Sequence, residues 1–372
     1  MIHSGAFSAA DIVLFISVPL LFIASEFTLR MPRLKPALKP AYWLGLAFIA
    51  VAWSFDSSSK ALAQIEYHAQ NRQWSQVLKV APRLRAFPPS TVSDINHALF
   101  HEGKLLSEMF AYPQSKTYDF WFSLHDSLDT RKCLKASDLL FELGQVNRAE
   151  RMAAEDIELN GYHPGALQRL FFVHVLREDP LTAVFFLNLL EQTWWHRSWA
   201  QRYRQALAED PLLTRDPSLQ AVRALQILED QTSEYGNEGV LVQSWRRNRR
   251  NRMAFEYLLA HYLLTSQIDK MIEQLPRLRD FSYAALPRHC AEALLLYQRL
   301  GKTSVVQPGG YTMVPELEQR FNRFHQQFMN YQGNLAAAQA GLRQEFGDTY
   351  WFFYLFDRSG TLGSRTRPSS RQ

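Results

Sequence analysis

The chain has little of what marks catalytic, disulfide-rich or β-sheet proteins. Its 372 residues include only two cysteines, and because Cys133 and Cys290 stand far apart, they form neither a disulfide framework nor a C-x-x-C site. The sequence also lacks a G-x-S-x-G nucleophile elbow, a dense cysteine–histidine cluster and any clear β-hairpin signal. We therefore expect a protein that is not an enzyme and that has no catalytic residue, no cofactor and no metal site.

Two short motifs approach functional signatures without completing them. His97 and His101 share one face of a predicted helix, a spacing that suits a metal, but the H-E-x-x-H motif needs a glutamate where this chain has Ala98. The segment "LGKTS" ends like a phosphate-binding loop, but Leu296 occupies the position of the loop's first glycine. We interpret the histidines as packing or surface residues and Gly301 as a glycine that ends a helix.

Composition and charge limit the classes of partner. Apolar residues make up 47% of the chain and charged residues 21%, a balance that excludes a disordered chain and a polytopic transporter. Most of the net charge of +5 comes from the two ends, so the central part lacks the basic field typical of nucleic-acid-binding domains. We predict a membrane hairpin over residues 1–57, a helical-repeat domain over 58–356 and a disordered, arginine-rich tail over 357–372.

Two uncharged runs near the N-terminus predict the membrane hairpin. Ile12–Ser25 extends to roughly 20 residues with its neighbours, the length of one span, and Pro40–Phe55 carries aromatic residues near both ends. Lysine and arginine are absent before the first run but present between the runs, which places the connecting loop in the cytoplasm. We expect residues 12–55 to anchor the chain in the bacterial inner membrane, with the helical domain on the periplasmic side. A buried pair of core helices is the alternative.

Helix-period patterns dominate from Ser57 onward, and one kind of bend recurs among them. A glycine or a polar pair, followed by a large apolar residue, marks a bend before each of five positions: Trp74, Leu105, Val146, Leu181 and Ile268. The spacing of the first four brackets the ~34-residue period of tetratricopeptide repeats. We predict an all-α chain in which the transmembrane hairpin precedes a tetratricopeptide-like, right-handed α-solenoid. Helical pairs of another right-handed solenoid are the alternative.

Four blocks resemble segments of one protein family. They are Asn251–Leu264, Tyr283–Tyr297, Met109–Gln114 and Leu189–Ala200. Over roughly residues 61–297 the chain resembles an uncharacterised bacterial family of membrane-anchored proteins that contain a domain of unknown function. The resemblance implies a membrane anchor before a helical part, and it supplies neither catalytic residues nor a substrate.

An aromatic stripe is the first candidate for binding a partner. Trp195, Trp199 and Tyr203 are spaced at four-residue intervals, with Trp194 beside them and arginines interleaved. Such a surface can stack on sugars or accommodate a peptide. The competing interpretation is that the aromatic residues pack between repeats, as stripes at helical spacing usually do.

An arginine run is the second candidate. The run "RRNRRNR" leads into Met253–Leu264, which is too short and too polar to span a bilayer. We interpret the apolar part as the first helix of a repeat and the arginines as its basic start, a placement that opposes the helix dipole. Arg246, Arg249 and Arg250 are therefore candidates for pairing with acidic groups or for contacting an acidic partner.

These features predict a membrane-tethered helical-repeat interaction or scaffold protein. We expect its concave face to bind a protein or peptide partner outside the cytoplasm. The alternative is an enzyme or enzyme subunit acting on cell-envelope glycan or lipid, which the aromatic-basic segment Trp194–Arg204 motivates. The sequence argues against nucleic acid as a partner, because the arginine run would lie outside the cytoplasm.

Overall fold

A computed structural model describes residues 57–114, 132–227, 237–301 and 310–356. Within these ranges all regular structure is helical, which confirms the all-α prediction. The expected membrane hairpin, residues 12–55, and the tail, residues 357–372, lie outside the described residues. None of the helices in the described ranges is long and apolar enough to cross a membrane.

Seventeen α-helices are present in the described part of the chain. Up to residue 227 they are α1 (Ser57–Gln70), α2 (Trp74–Val80), α3 (Pro89–His101), α4 (Leu105–Glu108), α5 (Lys132–Glu142), α6 (Val146–Asn160), α7 (Pro164–Leu176), α8 (Pro180–Glu191), α9 (Arg197–Glu209) and α10 (Pro217–Leu225). From residue 237 they are α11 (Asn237–Arg247), α12 (Arg252–Leu264), α13 (Ile268–Gln274), α14 (Arg288–Arg299), α15 (Pro315–Met329), α16 (Leu335–Phe346) and α17 (Tyr350–Phe356). Short 3-10 helices cover Ala81–Arg83, Met109–Ala111 and Leu275–Phe281.

Five helical hairpins turn through one hydrogen-bonded motif. In each, a residue with φ between 55° and 81° ends the first helix, and the next amide donates to the carbonyl five residues earlier at 2.7–2.9 Å. This is the Schellman motif, which satisfies carbonyl groups left free at a helix end. The residues with positive φ are Arg72, Gly103, Gly144, Glu178 and Ser266.

These five turns are the bends that the sequence predicts. Helices α2, α4, α6 and α13 begin at the predicted residues, and α8 begins one residue earlier, at Pro180. Proline fits this first position because its fixed φ suits a helix and its missing amide hydrogen has no partner there. The predicted bends are therefore present, and four of the five helix starts lie at the predicted residues.

Contacts between distant helices distinguish the packing from a linear array of repeats. Neighbours along the chain pack on each other, as α5, α6, α7 and α8 do in sequence. The short helix α4, however, also packs on α12 and α14. In a solenoid each repeat contacts only its neighbours, so the predicted solenoid is not confirmed as the arrangement of the whole chain.

The apolar segment after the arginine run forms the most buried helix of the described ranges. Every residue of α12 after Arg252 is buried, as expected for a helix that is apolar on all sides inside a protein. Asn251 caps this helix by accepting a hydrogen bond from the Ala254 amide at 3.0 Å, and its side-chain amide donates to the Leu143 carbonyl at 3.1 Å. The prediction of a structural helix over Met253–Leu264 is confirmed.

Gly144 lies where the turn between α5 and α6 meets the end of α10. A Cβ atom at this position would lie 2.3 Å from the carbonyl oxygen of Leu225. Just beyond that helix, the amide of Ile227 donates to the Gly144 carbonyl at 2.8 Å. A glycine is therefore required here both by its positive φ and by the approach of another backbone.

A buried charge network joins α14 to α17. His289 and Glu292 are fully buried, and one oxygen of Glu292 lies 2.8 Å from His289 Nδ1 and accepts from the Tyr350 amide at 2.7 Å. Its other oxygen accepts from Arg288 Nε at 2.9 Å. Because a buried carboxylate must be hydrogen-bonded to be tolerated, this network specifies how the two helices pack.

Candidate functional site

The predicted aromatic stripe divides into a packed half and an exposed half. Trp199 and Tyr203 lie on α9, and their ring centres lie 5.6 and 5.4 Å from that of Phe171 on α7. The Tyr203 hydroxyl also donates to Asp216 at 3.4 Å. This half of the stripe packs against the hydrophobic core, so it holds helices together and offers little surface to a partner.

Trp194 and Trp195 form the exposed half, in the turn between α8 and α9. They are 82% and 85% exposed, and their rings stack with centres 5.6 Å apart. Leu181 and Phe185, on the outer side of α8, are also exposed. Two adjacent exposed indoles form an apolar patch of the kind that marks interaction sites.

The arginines near this turn hold it in place. Arg204 donates to Glu191 at 2.7 Å and to Asn188 at 2.6 Å, both at the end of α8. Arg197 donates to the backbone carbonyl of Glu191 at 3.0 Å. The start of α9 is thereby tied to the end of α8, and the turn presents the two indoles on a braced backbone.

The arginine run has a different position from the one expected. Arg246 lies in the last turn of α11, where a positive charge complements the helix dipole, and Arg249 and Arg250 lie in the turn that follows. The guanidinium of Arg249 sits 3.8 Å from the ring centre of Trp245. The expected basic helix start is wrong for these three residues, because the capping residue Asn251 starts the next helix after them.

Arg252 is the one member of the run that begins a helix in the described structure. It pairs with Glu256 one turn later, at 2.5 Å, and its guanidinium lies 5.3 Å from the ring centre of Tyr283. The acidic partner offsets the unfavourable position of a positive charge at a helix start.

A third cluster, of two histidines and a glutamate, lies between α3 and α5. His97 Nε2 and His101 Nε2 each lie 3.0 Å from the same oxygen of Glu142, Oε2. The histidines are one turn apart on α3, and Glu142 is the last residue of α5. The side chains of His97 and Glu142 are mostly buried, with exposed fractions of 13% and 14%, whereas His101 lies nearer the surface and its side chain is 30% exposed.

The surroundings of this cluster fix its geometry. The Trp74 ring stacks parallel to that of His101 with centres 4.5 Å apart and lies 4.6 Å from that of His97. Arg72 lies 3.7 Å from the other carboxylate oxygen, Oε1. Burial raises the pKa of Glu142, but the charge of His97 and the hydrogen bonds with His101 and His97 outweigh burial, so its pKa lies well below the ordinary value.

The sequence identifies two of the three residues of this cluster. It pairs His97 with His101 through their helical spacing and favours their interpretation as packing residues. It does not identify Glu142, which lies in a different helix of a different hairpin. No local signal identifies that glutamate, because only the packing of α5 beside α3 brings it to the histidines.

In its described ranges the chain is an all-helical protein in which five helical hairpins share one turn motif. A family model covers residues 5–357, and the chain belongs to that family, the family of unknown function DUF6057. This confirms the expected membership of an uncharacterised family, and the match extends beyond the region of the resemblance seen in sequence. Neither the curated proteins nor the solved structures contain a significant match.

Proposed function

We propose that the protein is a non-catalytic interaction protein that binds a protein or peptide partner through the turn at Trp194 and Trp195. The carrying observation is the exposure of these two stacked indoles, 82% and 85%, on a turn braced by charged hydrogen bonds. Tryptophan is one of the residues most enriched at the hot spots of protein interfaces, because it buries a large area and loses little side-chain entropy.

The proposal includes a membrane tether and a tetratricopeptide-like relationship. Residues 12–55 would anchor the chain in the bacterial inner membrane, and the helical domain would lie on the periplasmic side. The five shared hairpin turns support repeats of that kind. The contacts of α4 with α12 and α14 indicate that such repeats would be closed into a compact unit.

Co-purification from detergent-solubilised membranes tests the binding surface. Wild-type protein and the Tyr162→Ala variant, which removes an aromatic side chain that is 70% exposed elsewhere, should recover the same near-stoichiometric partner. The double variant Trp194→Ala/Trp195→Ala should bind it at least ~30-fold more weakly, since one hot-spot tryptophan alone contributes about 2 kcal/mol or more. Equal recovery by all three proteins, or no stoichiometric partner, would contradict the proposal.

A reporter fused after Gln372 tests the topology separately. A periplasmic reporter should be active and a cytoplasmic one inactive, because the positive-inside rule places the helical domain outside the cytoplasm. The reverse pattern would overturn the periplasmic placement while leaving the binding surface untouched. It would also reopen the question of nucleic acid as a partner for the arginine run.

An enzyme or enzyme subunit acting on envelope glycan or lipid is the second candidate function. Stacked exposed indoles also suit sugar rings, so the same surface motivates it. Envelope glycan fragments should then raise the melting temperature of the wild-type protein, and Trp195→Ala should abolish that rise. Trp199→Ala is unsuitable as a probe, because Trp199 packs against the core and its loss would destabilise the fold directly.

A further inference from the structure

We propose that His97, His101 and Glu142 form a binding site for one divalent transition-metal ion of the zinc type. This site is distinct from the tryptophan turn and does not depend on the function proposed above. The three ligand atoms, two imidazole nitrogens and one carboxylate oxygen, all lie within 4.8 Å of one another.

Two of the three separations between the ligand atoms are close to those around a small metal ion, and the third, between the two Nε2 atoms, is within 4.8 Å. Zinc binds nitrogen and oxygen ligands at about 2.0–2.2 Å, so neighbouring ligand atoms in a tetrahedral site lie roughly 3.3 Å apart. Here Glu142 Oε2 lies 3.0 Å from each Nε2 atom. Without an ion, both histidines must carry a proton on Nε2 to donate to that single oxygen. With an ion bound, the Nε2 lone pairs of both histidines and the carboxylate oxygen would all be directed at the metal ion.

Neighbouring side chains restrict the positions of the three proposed ligands. Trp74 covers one side of both imidazole rings, which restricts their rotation. Arg72 lies beside Oε1 of Glu142, the oxygen that does not face the histidines. Of these contacts, the ion pair with the carboxylate resembles the outer partners that orient ligands in metal sites.

The chemistry of the ligands selects the metal. Two imidazoles and one carboxylate suit zinc and related transition metals, whereas calcium and magnesium prefer oxygen ligands only. The positive charge of Arg72 beside the single carboxylate further disfavours ions that depend on net negative charge. His101 is 30% exposed, which leaves access for a fourth ligand such as water.

A bound ion would join two hairpins. The histidines belong to α3 of the α3–α4 hairpin, and the glutamate belongs to α5 of the α5–α6 hairpin. An ion held by both therefore stabilises the folded state and raises the melting temperature, because the unfolded chain lacks the preformed site.

Metal binding to the purified full-length protein in detergent tests the proposal. After chelation and dialysis, wild-type protein should bind zinc, measured by equilibrium dialysis, and should give a visible absorption band with cobalt. Glu142→Gln and His101→Gln should each weaken zinc binding more than ~10-fold. Even the loss of a residue that only supports a ligand typically weakens metal binding by about 10-fold or more. His174→Gln is the matched control: His174 also lies near two carboxylates, at 3.4 and 3.3 Å, but they contact opposite ring nitrogens and cannot share one ion with it.

Each result of the zinc-binding measurements either supports or overturns the proposed site. Zinc binding that is retained in His174→Gln and lost in both site variants supports the site. Zinc affinity that is equal in wild type and Glu142→Gln overturns it, as does a wild-type protein that takes up no zinc. Circular dichroism shows whether each variant folds. If His101→Gln does not fold, Glu142→Gln and the zinc-dependent rise in wild-type melting temperature decide between these outcomes.

Discussion

Replacing Gly144 by alanine should destabilise the protein through two separate effects. The residue has φ +81°, a conformation that costs an L-residue about 1–2 kcal/mol. The new Cβ would also lie 2.3 Å from the Leu225 carbonyl oxygen and 2.6 Å from its carbon. Both atoms belong to the backbone, so α10 has to move away, and overpacking of this kind costs about 1–3 kcal/mol. We therefore expect a loss of about 2–5 kcal/mol.

Gly103→Ala separates the two effects. Gly103 occupies the same position of the same turn motif, with φ +69°, but its Cβ would meet only the end of the flexible Arg252 side chain, at 3.9 Å. This variant should lose only the cost of the backbone conformation, about 1–2 kcal/mol. The difference between the two variants then measures the close approach of α10.

Urea unfolding followed by circular dichroism provides the measurement, with the denaturant slope used to check that both variants unfold as the wild type does. Gly144→Ala should be the less stable variant by at least about 1 kcal/mol. Equal losses would mean that α10 adjusts to the added carbon freely, and the close approach would then contribute nothing to the requirement for glycine.

Glu178→Gly should stabilise the protein by up to about 1 kcal/mol in thermal unfolding, because glycine relieves the positive φ of 59°, whereas Glu178→Ala should change little. Burial raises the pKa of Asp348, but hydrogen bonds from two arginines outweigh burial and leave it below the ordinary value. The carboxylate of Asp348 therefore contributes its full stabilisation above the ordinary aspartate pKa of about 3.9, and this stabilisation is lost as pH falls through the lower pKa of the folded state. Asp348→Asn should therefore reduce the dependence of urea unfolding on pH between about pH 5 and pH 2. Both cysteines are free and buried, and burial raises the pKa of Cys133 to about 11 and that of Cys290 further. An alkylating reagent at pH 8 should therefore label the two thiols only after the protein unfolds. Rapid labelling of Cys290 in the folded protein would contradict its burial.

Local features of the fold could be predicted because they depend on neighbouring residues. A Schellman turn needs one residue that tolerates a positive φ and an apolar residue shortly afterwards, and both are visible in sequence. That is why Leu105, Val146 and Ile268 could be identified as helix starts. Long-range contacts have no comparable signal: nothing near Leu105 indicates that its helix packs on α12 and α14.

In the candidate sites, too, local features could be predicted from the sequence and long-range contacts could not. Four-residue spacing placed Trp195, Trp199 and Tyr203 on one face, but α9 begins at Arg197, so Trp195 lies before the helix and outside the packed stripe. The helix boundary, which is the least certain part of a sequence-based prediction, decides which indoles are exposed. In the histidine cluster the missing residue, Glu142, belongs to another hairpin altogether.

One early hairpin packs against the last helices of the described chain. Phe110, just after α4, packs against His289 with ring centres 4.8 Å apart, and against Tyr350 and Phe353 of α17 at 5.6 and 4.7 Å. Repeats stacked in a line unfold with stabilities that add along the array. Since the hairpin that contains α4 buries an aromatic ring among the last helices of the described ranges, we expect these helices to unfold together and not one hairpin at a time.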